Sequence, residues 1–214
     1  MTPPEHGLVG FNAAIALGLH KRGGWKIVAM ATFVAMVPDW DWLACLWGND
    51  AFQTIHRVWG HAIVSCLLTA LVVATGDYWL DATGRCGQLL NRLLPNRCRF
   101  SNSTDSSQCP GRIIRQQRTW SEYRLWLTAA TIIVFTHPIA DLLVTGGIDF
   151  PPWPVQLLWP FSPQPFTSPI LPWGDPGILA VFALGLIVMC CLRKYCRLVA
   201  FSVFVALGLY AWWR

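Results

Sequence analysis

Eight ionisable residues stand where the surrounding chain is apolar: His6, Asp39, Asp41, His56, Arg57, His61, His137 and Asp141. Imidazole mixed with carboxylate suits Zn²⁺, Mn²⁺ or Fe²⁺, whereas all-oxygen sets suit Mg²⁺ and Ca²⁺. The seven candidate ligands, all but Arg57, exceed the needs of one tetrahedral ion, so one or two ions fit the set. Two-metal sites activate water and clamp an oxyanion during phosphoryl or acyl displacement. Arg57 is permanently charged and suits a phosphate or carboxylate group. An ionisable residue inside a membrane costs about 3 kcal/mol or more on insertion scales, so such residues face a bundle interior and carry function.

The spacings fix what each residue can share. His137 and Asp141 are four apart, so on a helix they stack on one face and can grip one ion. Pro138 kinks or restarts that helix. Asp39 and Asp41 cannot share a helical face, but Pro38 ends the regular helix near Val37 and leaves both on a turn. His56 and His61 are five apart, a poor helical match. Gly60 allows a loop-to-helix start that brings them together, while Arg57 and His61 share a helical face directly.

The elements that must position these groups are membrane segments. Hydrophobic residues make up 54% of the chain and charged residues 13%, against about 25% charged in soluble domains. "MTPPEHG" lacks a basic leader and no small-residue cleavage site follows the first apolar run, so a cleaved signal peptide is not expected. Apolar stretches cover about 8–19, 26–47, 61–80, 125–146, 177–192 and 198–213. The expected fold is all-α: a multi-pass transmembrane helical bundle of five to six segments, some short, in one integral-membrane domain over 1–214.

Loop charge gives the orientation. Lys21, Arg22 and Lys26, eight arginines from Arg85 to Arg124, and Arg193, Lys194 and Arg197 fall on one side of a six-crossing chain. Only Arg57 and Arg214 fall on the other, so the loaded side is cytoplasmic and the cell (inner) membrane is the expected location. Every intramembrane ionisable residue then lies toward the opposite, outer face, although loop lysines and arginines alone set the orientation. Residues 82–124 read as a basic, partly flexible cytoplasmic loop whose arginines contact anionic lipid; no nucleic-acid role is expected. Cys86, Cys98 and Cys109 lie there as reduced thiols, and no CxxC pair occurs. Residues 146–176 hold nine of the 15 prolines with Trp153, Trp159 and Trp173. No regular helix accommodates them, so the stretch reads as an interfacial belt and a semi-rigid cover over an outer site.

His6, "PDWD" at 38–41, "HRVWGH" at 56–61, "HPIAD" at 137–141 and "LLWP" at 157–160 occur in an order and spacing that resembles the membrane-bound metal-dependent hydrolases, the DNA-damage-inducible inner-membrane group of DUF457 type. The resemblance covers roughly residues 6–160. It implies a multi-pass hydrolase using a divalent metal, with His6, Asp39, Asp41, His56, His61, His137 and Asp141 as ligands or catalytic groups and Arg57 beside them. Two departures stand out. Trp42 occupies the place of a histidine in the family's "PDxDH" pattern, and "VW" with Gly60 alters "HRGxTH".

The leading expectation is therefore a metal-dependent hydrolase, with Zn or Mn, acting at the outer interface on a phosphoester or lipid-linked substrate. Asp41 or Asp141 would take a proton from water, with Arg57 as a third catalytic group. Two other functions use the same residues: a metal or proton transporter, and a non-catalytic membrane protein with a structural polar cluster. Transport requires polar residues continuing across the bilayer. Membrane lipids are the expected partners.

Overall fold

The computed structural model describes residues 1–93, 119–147 and 151–214. Most of the basic connector, with Cys98 and Cys109, lies outside them. Among the described residues the chain is all-helical and has no strands. In order these are α1 (Pro3–Ala16), α2 (Leu19–Arg22), α3 (Gly24–Met36), a 3₁₀ run (Val37–Trp47), α4 (Asn49–Ile55), α5 (Ile63–Leu80), α6 (Ala82–Leu93), α7 (Trp120–Val134), α8 (Thr136–Leu143), α9 (Pro176–Cys191) and α10 (Cys196–Trp213).

Four stretches are long and apolar enough to cross a membrane: Gly24–Trp47, Ile63–Leu80, Trp120–Leu143 and Arg193–Trp213. Pro176–Cys191 is a shorter apolar helix. The first apolar run has another role. At 14 residues, α1 reaches only about 21 Å, short of a bilayer core of roughly 30 Å. It is instead packed inside the bundle, where Ala14 and Ile15 are fully buried.

Small residues bring α1 and α3 together. A Cβ at Gly10 would stand 2.5 Å from the Ala35 Cβ and 3.1 Å from the Ala31 carbonyl oxygen. Ile27, Val28, Met30, Ala31, Val34, Ala129, Ala130, Ile133 and Val134 complete that core between α1, α3 and α7. A second apolar cluster joins Val9, Val144 and Leu171 to Ile178, Phe182 and Val203 of the last two helices. The outward-facing residues are apolar as well, with Leu71, Val72, Ile187, Leu198, Phe201 and Leu209 exposed. A surface of that kind is matched to lipid rather than water.

The helix breaks expected from proline occur. Helix α3 gives way to the 3₁₀ run at Val37, with Pro38 in its first turn. Helix α7 ends at Val134 and α8 restarts at Thr136, two residues before Pro138. The Pro/Trp-rich stretch is irregular but closely tied to α8. Ile170 and Leu171 N–H donate to the Leu143 carbonyl, Ser168 N–H to Leu142, and Trp173 N–H to Gly146.

Candidate metal centre

The eight residues come from four parts of the chain and meet at one end of the bundle. His6 is in the first turns of α1, Asp39 and Asp41 are in the 3₁₀ run, and His56, Arg57 and His61 are in the link to α5. His137 and Asp141 are in α8. Lys26 and Asp81 pair at the opposite end, between the start of α3 and the end of α5. The basic connectors and the polar cluster thus occupy opposite ends.

Within the cluster His6, His61, His137, Asp41 and Asp141 are at most 1% exposed, and Asp39 is 7% exposed. One group that can converge on an ion is His6, Asp39, His137 and Asp141; another is Asp39, Asp41 and His56. Asp39 belongs to both. In each group the donor atoms lie within 4.8 Å of one another. His6 Nε2 is 3.3 Å from Asp141 Oδ1. His137 Nε2 is 3.4 Å from Asp39 Oδ1 and 3.6 Å from Asp141 Oδ2. Donors bound at about 2.0–2.2 Å around one tetrahedral ion stand roughly 3.3–3.6 Å apart. The spacing therefore fits a shared cation.

Hydrogen bonds aim the rings. His137 Nδ1 donates to the Ala35 carbonyl oxygen at 2.7 Å, which leaves Nε2 as the lone pair facing the cluster. The same Nε2 lies 3.0 Å from His61 Nε2, and His61 Nε2 lies 2.9 Å from Asp141 Oδ2. His6 stacks on His137 with centroids 3.6 Å apart. Both nitrogens of His6, Oδ2 of Asp39 and Nδ1 of His61 are buried without a hydrogen-bond partner among the described residues. A buried polar atom left unpaired is costly unless a ligand satisfies it. The donor set and its orphaned atoms fit a divalent metal.

Asp41 does a different job. Its Oδ1 is 2.7 Å from His56 Nδ1. Its Oδ2 accepts the backbone N–H groups of Arg57 and Gly60, each at 3.2 Å. The carboxylate therefore orients His56 and pins the 56–60 turn. A Cβ at Gly60 would lie 1.8 Å from the Pro38 carbonyl oxygen, so no larger residue fits where this turn crosses the "PDWD" run. Residues 56–62 are not helical, and α5 begins only at Ile63. Arg57 and His61 thus share no helical face. The turn brings His56 to His61 instead, with ring centroids 5.5 Å apart.

Arg57 faces inward. It is 3% exposed, and its backbone adopts the left-handed conformation, with φ of 65°. Its guanidinium donates to the Thr145 hydroxyl and the Trp153 carbonyl, both at 2.9 Å, and to Asp141 Oδ1 at 3.2 Å. The Trp153 N–H also donates to the Thr145 hydroxyl. The Met1 amino group contacts Asp141 as well. Thr145 and this strut carry no signal in the sequence, because the partners are 84 to 96 residues from Arg57. Trp153 and Phe52 pack against the His56 ring, with centroids 5.0 and 4.8 Å away.

One family model, described as YdjM inner membrane protein, matches residues 1–214. The chain belongs to the YdjM inner membrane protein family. That membership accords with the four helices able to span a membrane and places the protein in the inner membrane. No curated protein and no solved structure matches the chain. The YdjM description names a location and no reaction.

Proposed function

We propose that the protein is a metal-dependent hydrolase with its site at the non-cytoplasmic interface, acting on a phosphoester of a lipid-linked substrate. The observation that carries this reading is the convergence of His6, Asp39, His137 and Asp141 donors, several of them buried and unpaired. His61 joins them through Asp141. Zn²⁺ or Mn²⁺ suits this mixed nitrogen and oxygen set. An ion held by these residues would supply a bound water of lowered pKa and a Lewis acid for a phosphoryl oxygen.

The protein's own groups divide the remaining work. His56 is the most accessible of the histidines in the cluster, with 12% of its side chain exposed. Held by Asp41 through Nδ1, it presents Nε2 to accept a proton from water and return it to the leaving oxygen. Asp41, with both oxygens engaged, orients this base. Arg57 holds Asp141 and ties Thr145 and Trp153 to the site. Trp40, Trp42, Trp47, Trp59, Phe161 and Trp173 are exposed and supply the aromatic belt expected where a substrate enters from the interface.

A transporter would need polar groups leading away from the cluster. Along α3, Thr32 bonds back to the Val28 carbonyl, and in α1 the Asn12 amide bonds back to Leu8. The deciding experiment is an activity screen against phosphodiester, phosphomonoester and carboxyl-ester lipids, with and without chelator. Chelator-sensitive turnover of a phosphoester supports the reading, with His56→Gln losing turnover but keeping metal. Metal content unaffected by His61→Ala with Asp141→Ala would sink it.

A further inference from the structure

The helix that opens the basic connector has a face that no described residue covers. In α6, Ala82, Cys86, Leu89, Leu90 and Leu93 recur at intervals of i, i+4, i+7, i+8 and i+11, an apolar stripe on a helix otherwise rich in polar residues. Ala82, Cys86 and Leu89 are exposed, the last at 57%. Gly84, on the other side of the helix, is buried against the protein. The described part of the stripe, Ala82, Cys86 and Leu89, thus points away from the bundle. Arg85 is exposed on one flank, and Arg92 follows it seven residues on in the sequence.

The start of α6 is fixed with unusual care. Asp81 adopts the left-handed conformation, with φ of 51°, and turns the chain off the α5 axis. Its carboxylate binds Lys26 Nζ at 2.9 Å. Asp77 accepts the Thr83 N–H at 2.8 Å, the Thr83 hydroxyl at 3.0 Å and the Trp126 indole N–H at 3.0 Å. A Cβ at Gly84 would stand 2.3 Å from Asp81 Oδ1. An 18-residue α5 is about 27 Å long, close to the bilayer core of roughly 30 Å. The elbow therefore sits where the helix leaves the hydrocarbon.

We propose that α6 lies in the plane of the membrane and binds an anionic leaflet, with Ala82, Cys86 and Leu89 in the acyl boundary and Arg85 and Arg92 on phosphate headgroups. Continuity with a membrane-spanning helix and the charge of the segment both select this occupant. Residues 82–124 carry eight arginines against only Asp105 and Glu122. An amphipathic helix of this composition binds through buried apolar area plus attraction to anionic lipid.

The test uses the full chain in nanodiscs holding one copy. An environment-sensitive fluorophore is placed at native Cys86, at Gln88→Cys or at Leu89→Cys, the remaining cysteines being replaced. In phosphatidylcholine discs containing phosphatidylglycerol, labels at 86 and 89 are quenched by lipid-borne nitroxide and shielded from aqueous iodide; the label at 88 behaves oppositely. Arg85→Gln and Arg92→Gln each lower the docked-to-undocked ratio about fivefold. Equal iodide quenching at all three positions would overturn the proposal. So would a pattern indifferent to phosphatidylglycerol and to both arginines, or one seen only in discs with two copies, which would assign the face to a second chain.

Discussion

Two buried carboxylate clusters occupy opposite ends of this bundle, and they are built differently. At the connector end, Asp77 spends its oxygens on the Thr83 N–H and hydroxyl and the Trp126 indole. At the other end, Asp39 and Asp141 face His6, His61 and His137 at 2.9 to 3.9 Å, and several of those atoms are left unpaired. A cluster that serves only the fold satisfies its polar groups. One that leaves donors converging on a common point has the geometry to hold a cation. Both ends bury a carboxylate; the satisfaction of its neighbours separates them.

The contrast can be broken most severely through metal content. His61→Ala combined with Asp141→Ala is expected to abolish bound metal in the purified protein, measured by plasma mass spectrometry, while Asp77→Ala leaves metal per chain unchanged. Asp41→Asn weakens metal affinity about 10- to 100-fold, as loss of an orienting partner does. Equal metal in all three variants would erase the distinction between the ends.

Gly60→Ala comes next. The added Cβ must displace the Pro38 carbonyl from 1.8 Å, so a destabilisation of about 3 kcal/mol or more is expected, in the range reserved for broken cores and strained backbone. Thermal unfolding in detergent reads it, and an unchanged Tm would show that the turn is not held as described.

Stability should then diverge between the two ends. Asp77→Ala leaves the Thr83 and Trp126 donors unpaired and lowers stability by about 1–3 kcal/mol, with or without chelator. Asp39→Asn removes one charge from an unbalanced set, so in chelator it raises Tm while losing metal, as residues kept for function at a cost in stability do.

The smallest effect belongs to Asp175. Burial disfavours its charge, but the Tyr210 hydroxyl, the Gly177 N–H and Arg214 outweigh it and hold the carboxyl below its ordinary range. Because the folded form is the more acidic, the stabilisation is complete above the ordinary carboxylate range and is lost as pH falls below it. A slight acid-side loss of Tm, absent in Asp175→Asn, is the expected record.

Much of the site was legible before folding. Ionisable residues in apolar runs are expensive enough to select themselves, and basic connectors assigned all of them to one end without reference to their chemistry. Pro38 and Pro138 marked real breaks, because a missing N–H acts locally. The 56–62 turn was harder. Spacing suggested a helical Arg57 and His61 pair, but the left-handed Arg57 and the crossing at Gly60 depend on the Pro38 carbonyl of another segment.

By itself the sequence determined the membrane setting, the helical class and the ligand types, since hydropathy, proline and charge act residue by residue. Only the tertiary structure decided how those groups divide their labour. Asp41 is held by two backbone amides and His56, Arg57 is turned to Thr145 and Trp153, and Asp39 is shared between two donor groups. These assignments rest on which lone pairs remain unsatisfied after segments up to 140 residues apart have packed. No local pattern in the chain records that remainder.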